Sequence, residues 1–228
     1  MIKIISKLGP GLLFAGAAIG VSHLVQSTRA GADFGFGLIW ALILVNLFKY
    51  PFFQYGPRYA IVTGESLLDG YYKIGKFFLI AYFVLNILTM FTIQTAVTIV
   101  TAGLASSLFG FTDNMVIWSS IITVLCYLIL LVGKYNLLDK MIKIIILILA
   151  ISTIFSTGIA SFNTEQTYSF EQIFPEGTGL VFLVAFMGWM PAPLDISIWH
   201  SIWTIEKTKS QKITKKDTLF DFNVGYIA

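Results

Sequence analysis

Two short polar segments interrupt otherwise apolar runs of this sequence. The first is Gly20-Val21-Ser22-His23, followed by Gln26, Ser27, Thr28 and Arg29; the second is Met190-Pro191-Ala192-Pro193-Leu194-Asp195, with His200 beyond it. These residue types suit the coordination of a cation. A carboxylate at Asp195 and loosened backbone oxygens at such breaks could coordinate a bound ion or solute, and a thioether such as Met190 would suit a softer metal. Pro191 and Pro193 each lack a backbone N–H and disfavour helix at the preceding residue, so a helix must break or kink there. In hydrocarbon, carbonyls released in this way are tolerated mainly where they line a cavity or meet protein. Gly20, His23, Met190 and Asp195 are therefore the candidate binding residues, and Gln26, Gln94 and His200 are candidates for a polar pathway to them.

Each residue also has a plainer reading. Asp195 follows Pro193 and could cap the second half of a broken helix by accepting backbone N–H groups. His23 could be a buried neutral imidazole bonded to a carbonyl, and Met187 and Met190 could be packing residues. Gly11, Gly16 and Gly20 could serve only close helix approach. His200 reads as interfacial. The stripe Thr89, Thr92, Gln94, Thr95, Thr98 and Thr101 is weak support for a pathway, because threonine can satisfy its hydroxyl against its own helix. Asn46 is equally ambiguous, and Lys49 could snorkel to an interface or pair with an acid inside the bundle.

The elements that must position these residues follow from composition. Hydrophobic residues make up 57% of the 228 and charged residues 12%, about half the charged share of an ordinary soluble domain. Runs near the ~20 apolar residues needed to cross a bilayer predict six helical spans in one transmembrane domain, at about 9–28, 36–55, 77–108, 115–132, 141–160 and 179–203. None alternates as barrel strands do, which leaves helices. Lys3 and Lys7, then Arg58, Lys73 and Lys76, then Lys134, Lys140 and Lys143, and finally the run Lys207 to Lys216 fall on one side of these spans. Asp113, Glu165, Glu171 and Glu176 mark the other side, so the positive-inside rule puts the N-terminus in the cytoplasm.

Other classes are disfavoured. The net charge of +3 is accounted for by topology-setting loops, and no nucleic-acid partner is expected. Cys126 is the one cysteine, so no internal disulfide can form, and no removable signal peptide is recognisable. No nucleophile–base pair, metal-hydrolase motif or phosphate loop suggests an enzyme, and no cofactor is expected. The loop 162–178 has room for a short helix or a lid. The apolar end, Phe222 to Ala228, reads as the start of a seventh span that is cut off.

Gly9-Pro10-Gly11 opening the first span, Ala30-Gly31-Ala32 closing it, Arg58 with Val62-Thr63-Gly64 and Leu67, Met190-Pro191, and His200-Ser201 resemble the Nramp divalent-metal transporter family over nearly the whole chain. The resemblance implies an all-α polytopic membrane protein of the LeuT-type inverted-repeat fold, here the first repeat plus helix six. Helices one and six would be unwound around a metal site. It also implies secondary transport of a divalent cation of the manganese or iron class, with the proton as possible coupling ion and lipid as the surrounding partner. An integral location in a bacterial inner membrane is expected.

Departures from the family leave alternatives open. Its helix-one Asp-Pro-Gly-Asn is replaced by Gly20, Val21, Ser22 and His23, and only Met190 and Pro191 remain of its helix-six Met-Pro-His-Asn. The family's downstream His-Ser lies three residues closer than His200-Ser201, and its helix-three acids have no counterpart in the threonine stripe. A same-fold transporter of an amino acid or monovalent cation, or a membrane protein that does not transport, would ask less of such a site.

Overall fold

In the computed structural model the described residues are 8–20, 22–162 and 169–227, with the side chains at 22 and 134–136 left undescribed. Lys3, Lys7, Val21, Glu165 and Ala228, and the side chains of Ser22 and Lys134, lie outside them. The described chain is all-helical: α1 (Pro10–Ala18), a π-turn (Ser22–Gln26), α2 (Ser27–Phe34), α3 (Ile39–Thr63), α4 (Leu67–Ile74), α5 (Lys76–Phe109), α6 (Met115–Phe162), α7 (Thr178–Trp189), α8 (Ile196–Ser210) and α9 (Lys215–Ile227).

Three stretches are long and apolar enough to cross a membrane: α5, Met115–Gly133 and Leu137–Phe162. A fourth is the bent pair Pro10–Ala18 and His23–Phe34 if it counts as one span. Helix α3 falls short because Asn46, Lys49, Pro51 and Gln54 dilute its apolar face. It also runs eight residues beyond the expected end at 55, through Pro51 and Pro57, and stops at Gly64 in the left-handed region, φ 74°, where glycine carries no Cβ penalty. Helix α7 has 12 residues, about 18 Å at 1.5 Å per residue, against a hydrocarbon core of about 30 Å. It resumes as α8 only after the proline break.

The expected fourth and fifth spans fall on Met115–Gly133 and Leu137–Phe162, and the residues between them are helical rather than a loop. Charge alone pointed to a loop there; the segment 134–140 contains no proline or glycine to stop a helix. The loop before α7 forms neither a short helix nor a free flap over its described part. Ile173 donates its N–H to Gly37 O (3.0 Å), Trp40 Nε1 donates to Ile173 O (3.0 Å), and Phe170 stacks on Phe36.

The chain forms two compact units, Met1–Leu67 with Met141–Ala228, and Leu68–Lys140. In the first, α3 packs on α8, α9 and α7, and α1 packs on α9 and α8. One core cluster gathers Ala30, Leu38, Ala41, Val45, Leu183, Phe186 and Met190; another gathers Phe14, Ala18, Phe53, Ala192, Ile196 and Phe222. Phe14 meets Phe53, Phe222 and Tyr226 at ring-centroid distances of 5.3, 5.9 and 5.7 Å. A Cβ on Gly56 would run into the Ser197 carbonyl, so glycine sets how closely α3 and α8 approach.

In the second unit, Gly110 ends α5 at φ 66°. Ser106 Oγ and Trp118 Nε1 both donate to Thr112 O (3.0 and 2.9 Å), which fixes the α5–α6 turn. Thr89 and Thr101 return their hydroxyls to Leu85 O and Val97 O, and Gln94 Nε2 donates to Thr98 Oγ1 (3.1 Å). These hydroxyls are satisfied along their own helix. Thr101→Val in α5 is therefore expected to change stability by less than about 0.5 kcal/mol, read from thermal unfolding in detergent.

Candidate cation site at the two helix breaks

The second break comes from an i to i+4 mismatch. In a continuous helix the Met187 carbonyl would accept from the N–H of residue 191, and the Trp189 carbonyl from that of residue 193. Both of those positions are proline. Helix α7 ends at Trp189, the Met190–Pro191 peptide is cis, and α8 starts at Ile196.

Lys49, on α3, meets the freed carbonyls. Its Nζ donates to Met187 O (2.9 Å), Gly188 O (2.8 Å) and Met190 O (2.8 Å). An ammonium has three donors, so all of them are used, and the positive charge sits at the negative end of α7. Among the described residues no carboxylate pairs with it. It neither snorkels nor joins an acid, the two outcomes its sequence position suggested.

At the first break, α1 ends at Ala18. Ile19 donates its N–H to Ala15 O, Gly20 donates to Ala18 O (both 2.8 Å), and Leu24 donates to Gly20 O (3.0 Å). The chain then turns by 45° and continues through the π-turn into α2. Such π-turns often mark functional positions. His23 Nδ1 donates to Ala18 O at 2.6 Å. A carbonyl can only accept, so Nδ1 carries the proton of this contact. Gln26 Oε1, on the same turn, is buried with no hydrogen-bond partner among the described residues. The π-turn packs against α7, and Arg29 lies over the Phe182 ring at 5.2 Å. The two breaks thus belong to one bundle.

The other expected residues disperse. The Met190 side chain is 1% exposed inside the apolar cluster with Ala30 and Phe186, where it packs. Asp195 is half-buried and makes no side-chain cap; its backbone carbonyl accepts from Ile198 and Trp199 N–H (2.9 and 3.1 Å). Gln94, in the second unit, donates its side-chain amide to Thr98 Oγ1 on its own helix. His200 is fully buried among Phe14, Phe222 and Trp203 at 5.8, 5.7 and 6.5 Å, and neither ring nitrogen has a partner among the described residues. Its ring contacts are to Phe14 of α1 and Phe222 of α9. Among the described residues no group of three or more His, Cys, Asp or Glu side chains gathers to hold a metal.

Two important residues were not legible as such in the sequence. Lys49 was visible as a charge in an apolar helix, and the Met187–Pro191 spacing marked an acceptor in need of a donor; nothing local joined the two. Asp221 on α9 gave no signal. It is 3% exposed and accepts from Gly9 N–H (2.9 Å) and Gly11 N–H (2.8 Å) at the start of α1, while Lys207 Nζ donates to Leu8 O (2.7 Å).

These features define a helical membrane protein built around two interrupted helices that meet in one bundle. The family described as natural resistance-associated macrophage protein-like matches residues 11–227. The chain belongs to this Nramp family of metal transporters. An uncharacterized protein of Pasteurella multocida (strain Pm70) is 39% identical over 227 residues, which is 97% of this chain and 52% of the relative. The chain thus spans about half the length of the curated relative it matches. No solved structure matches it significantly.

Proposed function

We propose that this chain carries the cation-handling part of a secondary transporter in a bacterial inner membrane, moving a divalent metal of the manganese or iron class with protons as the coupling ion. The observation that carries the reading is the pair of breaks within one bundle, in a chain matched to a metal-transporter family over almost its full length. In this reading the first repeat and helix six of a LeuT-type fold supply the six predicted spans. His23 Nε2 and Gln26 Oε1 offer the side-chain ligands from the first break. Asp195 supplies negative charge at the second, and Gly20 leaves room beside the turn. One observation favours a cargo of lower charge: the α7 carbonyls already hold the Lys49 ammonium, which would repel a divalent ion and disfavour a monovalent one less.

The test is manganese uptake into proteoliposomes, with wild type beside His23→Ala and Asp195→Ala. Saturable uptake is expected, with kcat/KM reduced by more than about 10-fold when His23 is lost, since even removing the partner that supports a metal ligand costs that much. Uptake indifferent to both substitutions would remove these residues from the site. No manganese uptake by folded protein, with uptake of sodium or potassium instead, would establish the lower-charge cargo.

A further inference from the structure

We propose that Lys49 is a tethered cation: its ammonium fills a binding cage for a small monovalent cation, formed by the Met187, Gly188 and Met190 carbonyls, and so makes a dissolved cation unnecessary there. The cage follows from the proline spacing. Pro191 cannot donate to Met187 O, and the chain leaves helical geometry before Gly188 O and Met190 O acquire helical donors. The result is three carbonyl oxygens within 2.8–2.9 Å of one point. Converging carbonyls that replace a hydration shell are how proteins hold potassium and sodium, and broken transporter helices use such oxygens for coupling ions.

Charge accounting supports the same conclusion. A fixed cation in this part of the bundle has no carboxylate partner among the described residues, so carbonyl dipoles and the C-terminal end of α7 provide its compensation. A lysine that served only packing would not require three acceptors arranged around its tip. The stem crosses from α3 to α7, so the same ammonium ties the break to the helix that also packs on α8 and α9. Where a dissolved ion would have to bind and leave, Lys49 stays attached, and the break can open only if those three hydrogen bonds are given up. Binding at the cage does not depend on the divalent-cargo reading, although its meaning as a replaced coupling ion does.

The test uses the full chain, purified in detergent. Thermal unfolding is followed at constant ionic strength in sodium, potassium, ammonium or propylammonium chloride, with choline chloride as the bulky reference. Lys49→Ala removes three methylenes and the ammonium, which together amount to propylammonium. Lys49→Met keeps an apolar stem and loses the charge. The wild-type midpoint is expected not to depend on which cation is present. Both variants should melt lower. Propylammonium should restore Lys49→Ala by about 5 °C, saturably, because a ligand that binds only the folded state stabilises it by mass action. Sodium, potassium or ammonium should do the same for Lys49→Met, where the stem blocks propylammonium. Propanol should restore neither.

Variants that melt like wild type, variants that no cation restores, or a wild type that responds as the variants do would each overturn the proposal. Should both variants fail to fold, Lys49→Arg retains a cation and is expected to fold with no cation response; a response there would equally overturn it. Cation rescue together with absent manganese uptake leaves the tethered cation standing and the divalent cargo refuted, whereas uptake without rescue does the reverse.

Discussion

Gly11→Val is expected to unseat α9 from α1, at a cost of more than about 3 kcal/mol, the scale of forced overpacking between parts that cannot move aside. A Cβ at Gly11 would run into the backbone carbonyl of Asp221, and a Cβ at Gly225 would run into the backbone carbonyl of Gly11. Both obstacles are main chain, so no side chain can swing away to relieve them. Gly225→Val should therefore fail in the same way, and the double variant should cost less than the sum, since one separation relieves both clashes. Gly103→Ala in α5 meets nothing within 4 Å; it is the matched control, expected to be neutral or to stabilise by up to about 1 kcal/mol through helix propensity. Thermal unfolding and the monodisperse fraction in detergent report both effects. A Gly11→Val protein melting within about 2 °C of wild type would mean that α1 and α9 do not meet as closely as these glycines indicate.

The two breaks were legible in the sequence because proline and glycine act locally. Pro191 and Pro193 forbid specific helical hydrogen bonds wherever the rest of the chain goes, and Gly20 with His23 marks a stretch that gains little by staying helical. Gly11 was legible as a close-approach residue for the same reason, although its partner was not. Boundaries were less so. Pro51 and Pro57 sit inside α3 without ending it, since a proline removes only its own bond to the fourth residue before it and the surrounding turns hold. The segment 134–140 shows the converse, since its lysines suggested a loop while its backbone preference stayed helical.

The site was less legible, because its contacts span long sequence separations. Lys49 reaches carbonyls about 140 residues away, and the His200 cage joins α8 to Phe14 of α1 and Phe222 of α9. A charged residue in an apolar helix announces that it needs a partner and not which partner. Carbonyl acceptors leave no trace in residue type, so an ammonium held by backbone looks the same in sequence as one bound for an acid. Met190 misled for a related reason: a thioether is equally at home as a soft ligand and as core filling, and only its 1% exposure beside Phe186 and Ala30 decides for packing.

Asp221→Ala is expected to cost about 3–5 kcal/mol, the range for removing one partner from a buried charged network. The first N–H groups of any helix have no acceptor within it. Here two N–H groups at the start of α1, those of Gly9 and Gly11, are satisfied by the two carboxylate oxygens of a residue on α9 more than 200 positions later. Lys207 and Lys143 add positive charge near that carboxylate, and Lys207 also binds the Leu8 carbonyl, so α8 joins the same junction. Alanine would leave both N–H groups buried without an acceptor. Asparagine keeps one carbonyl oxygen but turns an amide donor towards a donor, so Asp221→Asn should lose about 1–3 kcal/mol. Asp221→Glu should recover little, because the close Gly11–Gly225 approach leaves no room for another methylene. Denaturant unfolding in detergent gives the ranking, and hydrogen exchange at the Gly9 and Gly11 amides gives the cause: exchange should accelerate at those two sites before α1 as a whole becomes labile. Unchanged protection at both amides in Asp221→Ala would show that α1 is held by its apolar contacts with α9 alone.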